Sequence, residues 1–128
     1  MPGRMTSWRM RGAPREVPSL RVEVADSFLR RFLGLMGRRR MEPFCALLLS
    51  PCSSVHMCFM RFASDVVYLK RERDGGYWRV VKVARGLRPW IGMSVCLGAD
   101  AVLEMRSGEA ERLGIQAGTV WEEARDAL

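Results

Sequence analysis

The chain has 128 residues, of which 48% are hydrophobic, and its formal net charge of +7 comes almost entirely from arginine. A chain of this length buries a sizeable core in one domain without disulfide or metal cross-links. The sequence holds no run of 18 apolar residues, which argues against a transmembrane helix, and its basic N-terminus lacks the apolar stretch of a secretory signal. We therefore expect a cytoplasmic protein with reduced cysteines.

Two regions differ in composition. Residues 1–19 carry four arginines and one glutamate, and they are predicted to form a disordered basic tail. Residues 20–128 are predicted to form a single β-rich domain. In its first part, Leu20, Val22 and Val24 alternate with polar residues, which is typical of a strand. Apolar residues at helical spacing over 28–36 then predict a short helix.

The remaining segments predict further short strands. "CALLLSPC" indicates a buried strand, and "DVVYLKRERDGGYWRVVKVARG" indicates a hairpin, because its glycines allow a tight reversal. "RPWIGMSVCLGA" indicates an irregular crossing, "DAVLEM" a strand and "TVW" a final strand. Between the last two strands, Ser107 is predicted to cap a short helix that ends at Gly114. The fold class is α+β and β-dominated, with a sandwich- or barrel-like sheet of about six or seven short strands and two short helices.

The stretch "PCSSVHMCFMRFASDVVYLK" surrounds the only histidine with sulfur. Cys52, His56 and Cys58 could bind zinc or copper if they converge, but their spacing lacks the C-x-x-C of common zinc sites. A Cys/His nucleophile oriented by Asp65 is a weaker alternative, because no oxyanion hole or nucleophile elbow is evident. Free Cys and Met are common in protein interiors, so we favour a sulfur-rich core over a metal site or a hydrolase-like enzyme.

An arginine cluster gives the sequence a second candidate surface. It lies on and after the predicted helix, and a solvated surface is the favoured interpretation. Weak, non-specific binding to a nucleic-acid backbone through this Arg-rich surface is the alternative. No glycine-rich phosphate-binding motif is present, so we predict no nucleotide or other cofactor. The cluster comprises Arg30, Arg31, Arg38, Arg39 and Arg40.

Three motifs in order carry a family resemblance: "GLMGRR", "HMCFMRFASDVVYL" and "VLEMRSGEAERLGIQAGT". With them, residues 20–123 resemble the bacterial and archaeal family known as domain of unknown function 192. The resemblance implies a compact, mostly β domain and no assigned activity, and it implies that some members are exported. The matching motif positions are Gly34, Leu35, Met36, Met60, Asp65, Leu103, Glu104 and Gly108.

One departure from the family pattern stands next to Asp65. Many members have Pro-Ile before this aspartate, where the chain has Ala63-Ser64, so a fixed φ angle is lost at the approach to the strand. The carboxylate itself is predicted to lie at the mouth of a buried strand, where it must accept hydrogen bonds from backbone N–H groups, Arg61 or His56.

We predict a non-enzymatic binding or accessory module whose ligand or partner the sequence does not identify. Its site is expected around the family motif, where polar residues either line a ligand pocket or form a buried polar network. The predicted site residues are His56, Met60, Arg61, Asp65 and Glu104.

Overall fold

Most strands of the protein join in one sheet that closes on itself. The computed structural model describes residues 4–13, 18–25, 42–50, 54–56, 62–72 and 77–124. Within these ranges lie nine strands and one short helix. They are β1 (Arg4–Met10), β2 (Leu20–Ala25), β3 (Cys45–Leu49), β4 (Ser54–His56), β5 (Ser64–Arg71), β6 (Tyr77–Leu87), β7 (Met93–Val95), β8 (Ala101–Arg106), α1 (Glu109–Arg112) and β9 (Val120–Ala124).

The barrel has the strand order β1-β2-β3-β8-β5-β6-β9, and it closes where β9 pairs with β1. Strands β2 and β3 are parallel, and the other neighbours are antiparallel. A parallel pair needs a long connection, which residues 26–44 supply between these two strands. Strands β4 and β7 form a separate two-stranded sheet. The structure thus confirms a β-dominated, barrel-like fold.

Alternation of side chains along the strands divides the core into two parts. The interior cluster takes buried residues from all seven barrel strands, including Trp8, Leu103 and Trp121. The outer cluster lies on the opposite face of β3, β5 and β8, which are therefore apolar on both faces. Its buried members are Leu47, Leu49, Val66, Tyr68 and Val102, with Phe62, Leu87, Cys96 and Ala99 packed against them.

Several predicted elements are confirmed at their positions. The "DGG" hairpin is the β5–β6 pair, in which Arg71 lies opposite Trp78. The other predicted strands correspond to β2, β3, β8 and β9, whereas the predicted crossing also contains the short strand β7. The predicted helix of residues 28–36 lies outside the described residues.

The prediction of a disordered tail is wrong for residues 4–10. These residues form β1, which pairs with β2 on one side and β9 on the other. A hydrophobic pattern does not reveal this strand, because among the described side chains of residues 5–10 only Trp8 is fully buried. The Trp8 ring stacks on Trp78 with centroids 5.8 Å apart, and Met10 packs against the interior cluster, so two side chains attach the strand to the core.

Candidate functional site

Helix α1 closes one end of the barrel. It follows β8 directly, and Ala110 on the helix and Ile115 just beyond it are fully buried in the interior cluster. Leu113 packs against the same cluster. A four-residue helix has too few internal hydrogen bonds to be stable alone, so its position depends on contacts with the barrel.

Asp65 provides the main polar contact between α1 and the barrel. Its side chain is buried at the start of β5, and each carboxylate oxygen accepts backbone hydrogen bonds. Oδ1 accepts from the N–H of Gly86 at 2.8 Å, and Oδ2 accepts from the N–H groups of Gly108 and Ala110, both at 3.0 Å. One carboxylate therefore joins β5, the end of β6 and the first turn of α1. The predicted placement of this carboxylate at a strand mouth, with backbone donors, is confirmed.

Capping of α1 is different from the sequence prediction. The N-cap is Gly108, with φ of 91°, and not Ser107. Glycine suits this left-handed backbone conformation, which bulkier residues adopt only with strain. The N–H of Ala110, which a Ser107 cap could have satisfied, is bonded to Asp65 instead, as is the N–H of Gly108. The prediction of a Ser107 cap is therefore wrong, because a carboxylate distant in the sequence takes the cap's place.

A second buried carboxylate lies on α1 itself. Glu109 is fully buried, and its Oε2 accepts a hydrogen bond of 2.9 Å from Nε of Arg106. Its Oε1 accepts from the guanidinium of Arg112, which also lies over the Phe44 ring with its carbon 4.3 Å from the centroid. Charged partners offset the cost of burying Glu109. The arrangement connects α1 to the segment that precedes β3.

Beside α1, the same end of the barrel holds a cavity of about 360 Å³. Its walls come from the end of β1, the start of β2, the residue before β3, the segment after α1 and the start of β9. They are mostly apolar, and two of the lining residues, Leu20 and Trp121, also belong to the interior cluster. The lining residues are Met10, Arg11, Gly12, Ala13, Pro18, Leu20, Phe44, Leu113, Gly114 and Trp121.

Few polar groups line this cavity. Arg11 donates a hydrogen bond of 3.0 Å to Glu122, and this contact raises the pKa of the guanidinium although desolvation opposes the rise. Trp121 is buried, and its indole N–H has no hydrogen-bond acceptor within the described part of the chain. A mostly apolar cavity with few polar groups, in the mouth of a barrel, is a typical small-molecule site. It has the shape to hold a ligand, and its described lining residues include no acid–base pair.

Comparison with known proteins identifies the family. The model of the DUF192 family, described as "Uncharacterized ACR", matches residues 10–122. The chain belongs to the DUF192 family. It is 33% identical over 106 residues to a UPF0127 protein of Pyrococcus furiosus, a match that covers 77% of this chain and 84% of the relative. It is 32% identical over 117 residues to a UPF0127 protein of Thermococcus sibiricus, covering 84% of this chain and 71% of the relative.

Two crystal structures have the same fold. A protein of unknown function from Novosphingobium aromaticivorans aligns with a TM-score of 0.75 at 22% identity, covering 92% of this chain and 84% of that one. A putative transcription regulator from Sinorhizobium meliloti aligns with a TM-score of 0.80 at 22% identity, covering 96% of each chain. At this identity the likeness shows the fold alone. Among the helices within the described ranges, none has the length and apolarity needed to cross a membrane.

The DUF192 motif residues fall into two groups in space. Asp65 pairs with Met105 and shares its face, toward the barrel interior, whereas Glu104 pairs with Val66 and faces the outer cluster. Both carboxylates are buried, but the sheet separates them. Gly108, another motif position, contacts Asp65 directly. The motif therefore does not bring Asp65 and Glu104 to one pocket.

The other predicted site residues are less fully described. His56 ends β4, where its backbone pairs with Met93 of β7. Met60 and Arg61 lie outside the described residues, as do Cys52 and Cys58 of the alternative metal site and the whole arginine cluster of residues 30–40. That these residues form a binding site therefore stays a prediction. The predicted set is His56, Met60, Arg61, Asp65 and Glu104.

The thiols that are described lie elsewhere. Cys45 and Cys96 are free, half-buried and packed against the outer cluster. Across the described ranges, no three His, Cys, Asp or Glu side chains come together as a metal site would require.

Sequence reasoning missed the cavity entirely. Its walls come from five separate segments, and apolar residues such as Leu20 and Leu113 look like ordinary core residues in a linear sequence. No local pattern marks them as a group.

Proposed function

We propose that this DUF192 protein is a non-catalytic binding module, and that the cavity beside α1 receives a small, largely apolar ligand. The observation that carries the proposal is the cavity of about 360 Å³ at the mouth of the barrel, with mostly apolar walls. Pockets that bind small molecules have this size and composition. We further propose that the protein works in the cytoplasm.

Trp121 places an aromatic ring in the cavity wall. The ring lines the cavity, and its N–H has no acceptor within the described residues. The indole nitrogen is itself enclosed by protein atoms, so a ligand in the cavity contacts the carbon atoms of the ring and not its N–H. Arg11 is already paired with Glu122, so a ligand with a strong negative charge would have to compete with this ion pair.

The four tryptophans make a direct test possible. Trp121 lines the cavity, Trp8 and Trp78 lie in the barrel interior, and Trp90 is exposed. In a proton–nitrogen correlation spectrum each indole N–H gives its own signal, assigned by Trp→Phe variants. We expect 1-octanol, an apolar chain with one hydroxyl, to shift the Trp121 signal in a saturable manner while the Trp90 signal stays unchanged.

A cavity-filling variant supplies the control. Ala13 is half-buried in the cavity wall, and Ala13→Phe should occupy the space that octanol needs. The matched control is Met5→Phe on β1, the strand that precedes Ala13, at an exposed position outside the cavity. Loss of the octanol response in Ala13→Phe but not in Met5→Phe would support the proposal. A Trp121 signal that does not respond to octanol in the unmodified protein would contradict it.

A further inference from the structure

A second surface, on the opposite side of the sheet from the barrel interior, exposes a row of large apolar side chains. In and around β7, Ile91 is 74% exposed, Met93 76% and Leu97 89%. Trp90 is 56% exposed and Val95 is 50% exposed. Contiguous exposed apolar surface is uncommon in soluble domains and marks sites of interaction. These five residues, Trp90, Ile91, Met93, Val95 and Leu97, are the apolar patch.

The backbone of this segment presents the patch outward. Met93 and Val95 alternate with the buried Ser94 along β7, so both point away from the protein. Trp90 has a φ of 71°, a left-handed conformation that is strained for a tryptophan. The turn before the strand is closed by a hydrogen bond of 2.9 Å from the N–H of Gly92 to the carbonyl of Arg88. Strained backbone of this kind is concentrated at functional positions.

The patch is attached to the barrel and is not a loose loop. Lys82 on β6 donates a hydrogen bond of 2.8 Å from Nζ to the carbonyl of Val95, and its ammonium lies 5.7 Å from the centre of the Tyr68 ring. Cys96 and Ala99, which follow β7, pack against the outer cluster. The backbone that carries the apolar side chains is therefore held in place by contacts with the barrel.

Cationic side chains adjoin the patch, and the acidic residue that follows it in the chain, Asp100, accepts a hydrogen bond from the N–H of Arg71. Residues 75–99 contain four basic side chains and no acidic one. All four are exposed, and two of them adjoin the patch, Lys82 by its contact with the carbonyl of Val95 and Arg88 by its position in the turn. A surface that combines exposed tryptophan and aliphatic side chains with surrounding cations complements a layer that is apolar inside and anionic at its face.

We propose that the apolar patch binds the surface of an anionic phospholipid bilayer. Trp90, Ile91 and Leu97 enter the boundary between headgroups and acyl chains, and Lys82 and Arg88 face the lipid phosphates. Tryptophan favours this boundary because its ring is apolar and its N–H is polar. The interaction is peripheral, and it does not depend on the cavity.

Co-sedimentation with lipid vesicles tests the proposal. We expect the full chain to sediment with vesicles of phosphatidylcholine mixed with phosphatidylglycerol, and to stay in solution with phosphatidylcholine alone. The double variant Ile91→Ser/Leu97→Ser should bind at least about tenfold more weakly, because two apolar side chains no longer leave water. Both positions are well exposed, so the variant should fold. Arg88→Glu should weaken binding in the same direction.

The matched control is Met5→Ser, which removes an exposed apolar side chain from β1, remote from the patch in the chain. Binding equal to that of the unmodified protein is expected. Three results would overturn the proposal: no sedimentation with either vesicle, equal binding by the double variant, or concentration-dependent dimers in analytical ultracentrifugation that the double variant abolishes. The last would mean that a second copy of the chain covers the patch.

Discussion

The carboxylate of Asp65 and the backbone N–H of Gly108 are joined by a hydrogen bond of 3.0 Å across 43 residues of sequence. Both are DUF192 motif positions, and their contact gives the motif a physical meaning. Asp65 needs donors because it is buried, and Gly108 supplies one because its φ of 91° turns the chain from β8 into α1. The same carboxylate holds Ala110 and Gly86, so the motif fixes the end of the barrel beside the cavity.

The first prediction concerns the charge of Asp65. Asp65→Asn keeps the shape but places an amide NH2 against backbone donors, and it should lower the free energy of unfolding by roughly 1–3 kcal/mol. Asp65→Ala should cost more, because three N–H groups lose their acceptor. Chemical denaturation measures both. The control is Asp100→Asn, an exposed aspartate with a bond from the N–H of Arg71, which should cost less than Asp65→Asn. A gain in stability on losing Asp65 would instead indicate a ligand-binding role.

The second prediction separates the two residues at the start of α1. Gly108→Ala should lower the free energy of unfolding by about 1–2 kcal/mol, because alanine is strained at this φ even though no atom lies within 4 Å of an added Cβ. Ser107→Ala should change it by less than about 0.5 kcal/mol, since Asp65 already accepts the helix donors. Thermal or urea unfolding gives both values. A larger loss from Ser107→Ala would restore the serine as the cap.

The hairpin and the cap show what sequence patterns can predict here. The β5–β6 pair was predictable because its turn and its β-branched runs are neighbours in the chain. The cap of α1 was not, because Asp65 reaches it from another strand. The sequence also could not predict that Asp65 and Glu104 are separated, since only the β5–β8 register shows that they face opposite sides of the sheet.

Strand β1 shows a second reason why the sequence did not predict the whole fold. Its residues are mostly polar or exposed, and arginines surround the one buried tryptophan, so composition favours a tail. The strand forms because both of its neighbours need a partner to close the barrel. The cavity depends on that closure, because Met10 to Ala13 form part of its wall. A site built from barrel closure has no signature in any single segment.

The third prediction tests β1 as part of the fold. Trp8→Ala should lower the free energy of unfolding by about 3–5 kcal/mol, because it removes a buried ring stacked on Trp78. Met5→Ala on the same strand, 46% exposed, should change it by less than about 0.5 kcal/mol. Denaturant unfolding followed by circular dichroism gives both values. Equal stability of the two variants would mean that β1 contributes little to the barrel.

The fourth prediction concerns nucleic acids. The net charge of +7 predicts weak binding without sequence preference, and affinity should fall by about 10³-fold or more between roughly 50 and 200 mM salt if six or more phosphates are contacted. Fluorescence anisotropy with a labelled duplex measures this. The test substitutes Arg38, Arg39 and Arg40 by alanine and leaves residues 1–19 intact, since a truncation would remove β1. Tight binding at physiological salt that the triple alanine variant loses would make the arginine cluster a binding site.

The fifth prediction concerns the strain at Trp90. A tryptophan with a φ of 71° carries about 1–3 kcal/mol of backbone strain, and glycine removes it. Trp90→Gly should therefore leave the free energy of unfolding unchanged or raise it by about 1 kcal/mol, and Trp90→Ala, which keeps the strain, should be less stable than the glycine variant. Both variants lose the ring, so both should bind anionic vesicles more weakly than the unmodified protein. Urea unfolding of the three proteins, beside the vesicle assay, separates the two effects. A loss of stability in Trp90→Gly as large as that of a core substitution would show that the indole supports the fold, and the strain would then have no connection with the membrane surface.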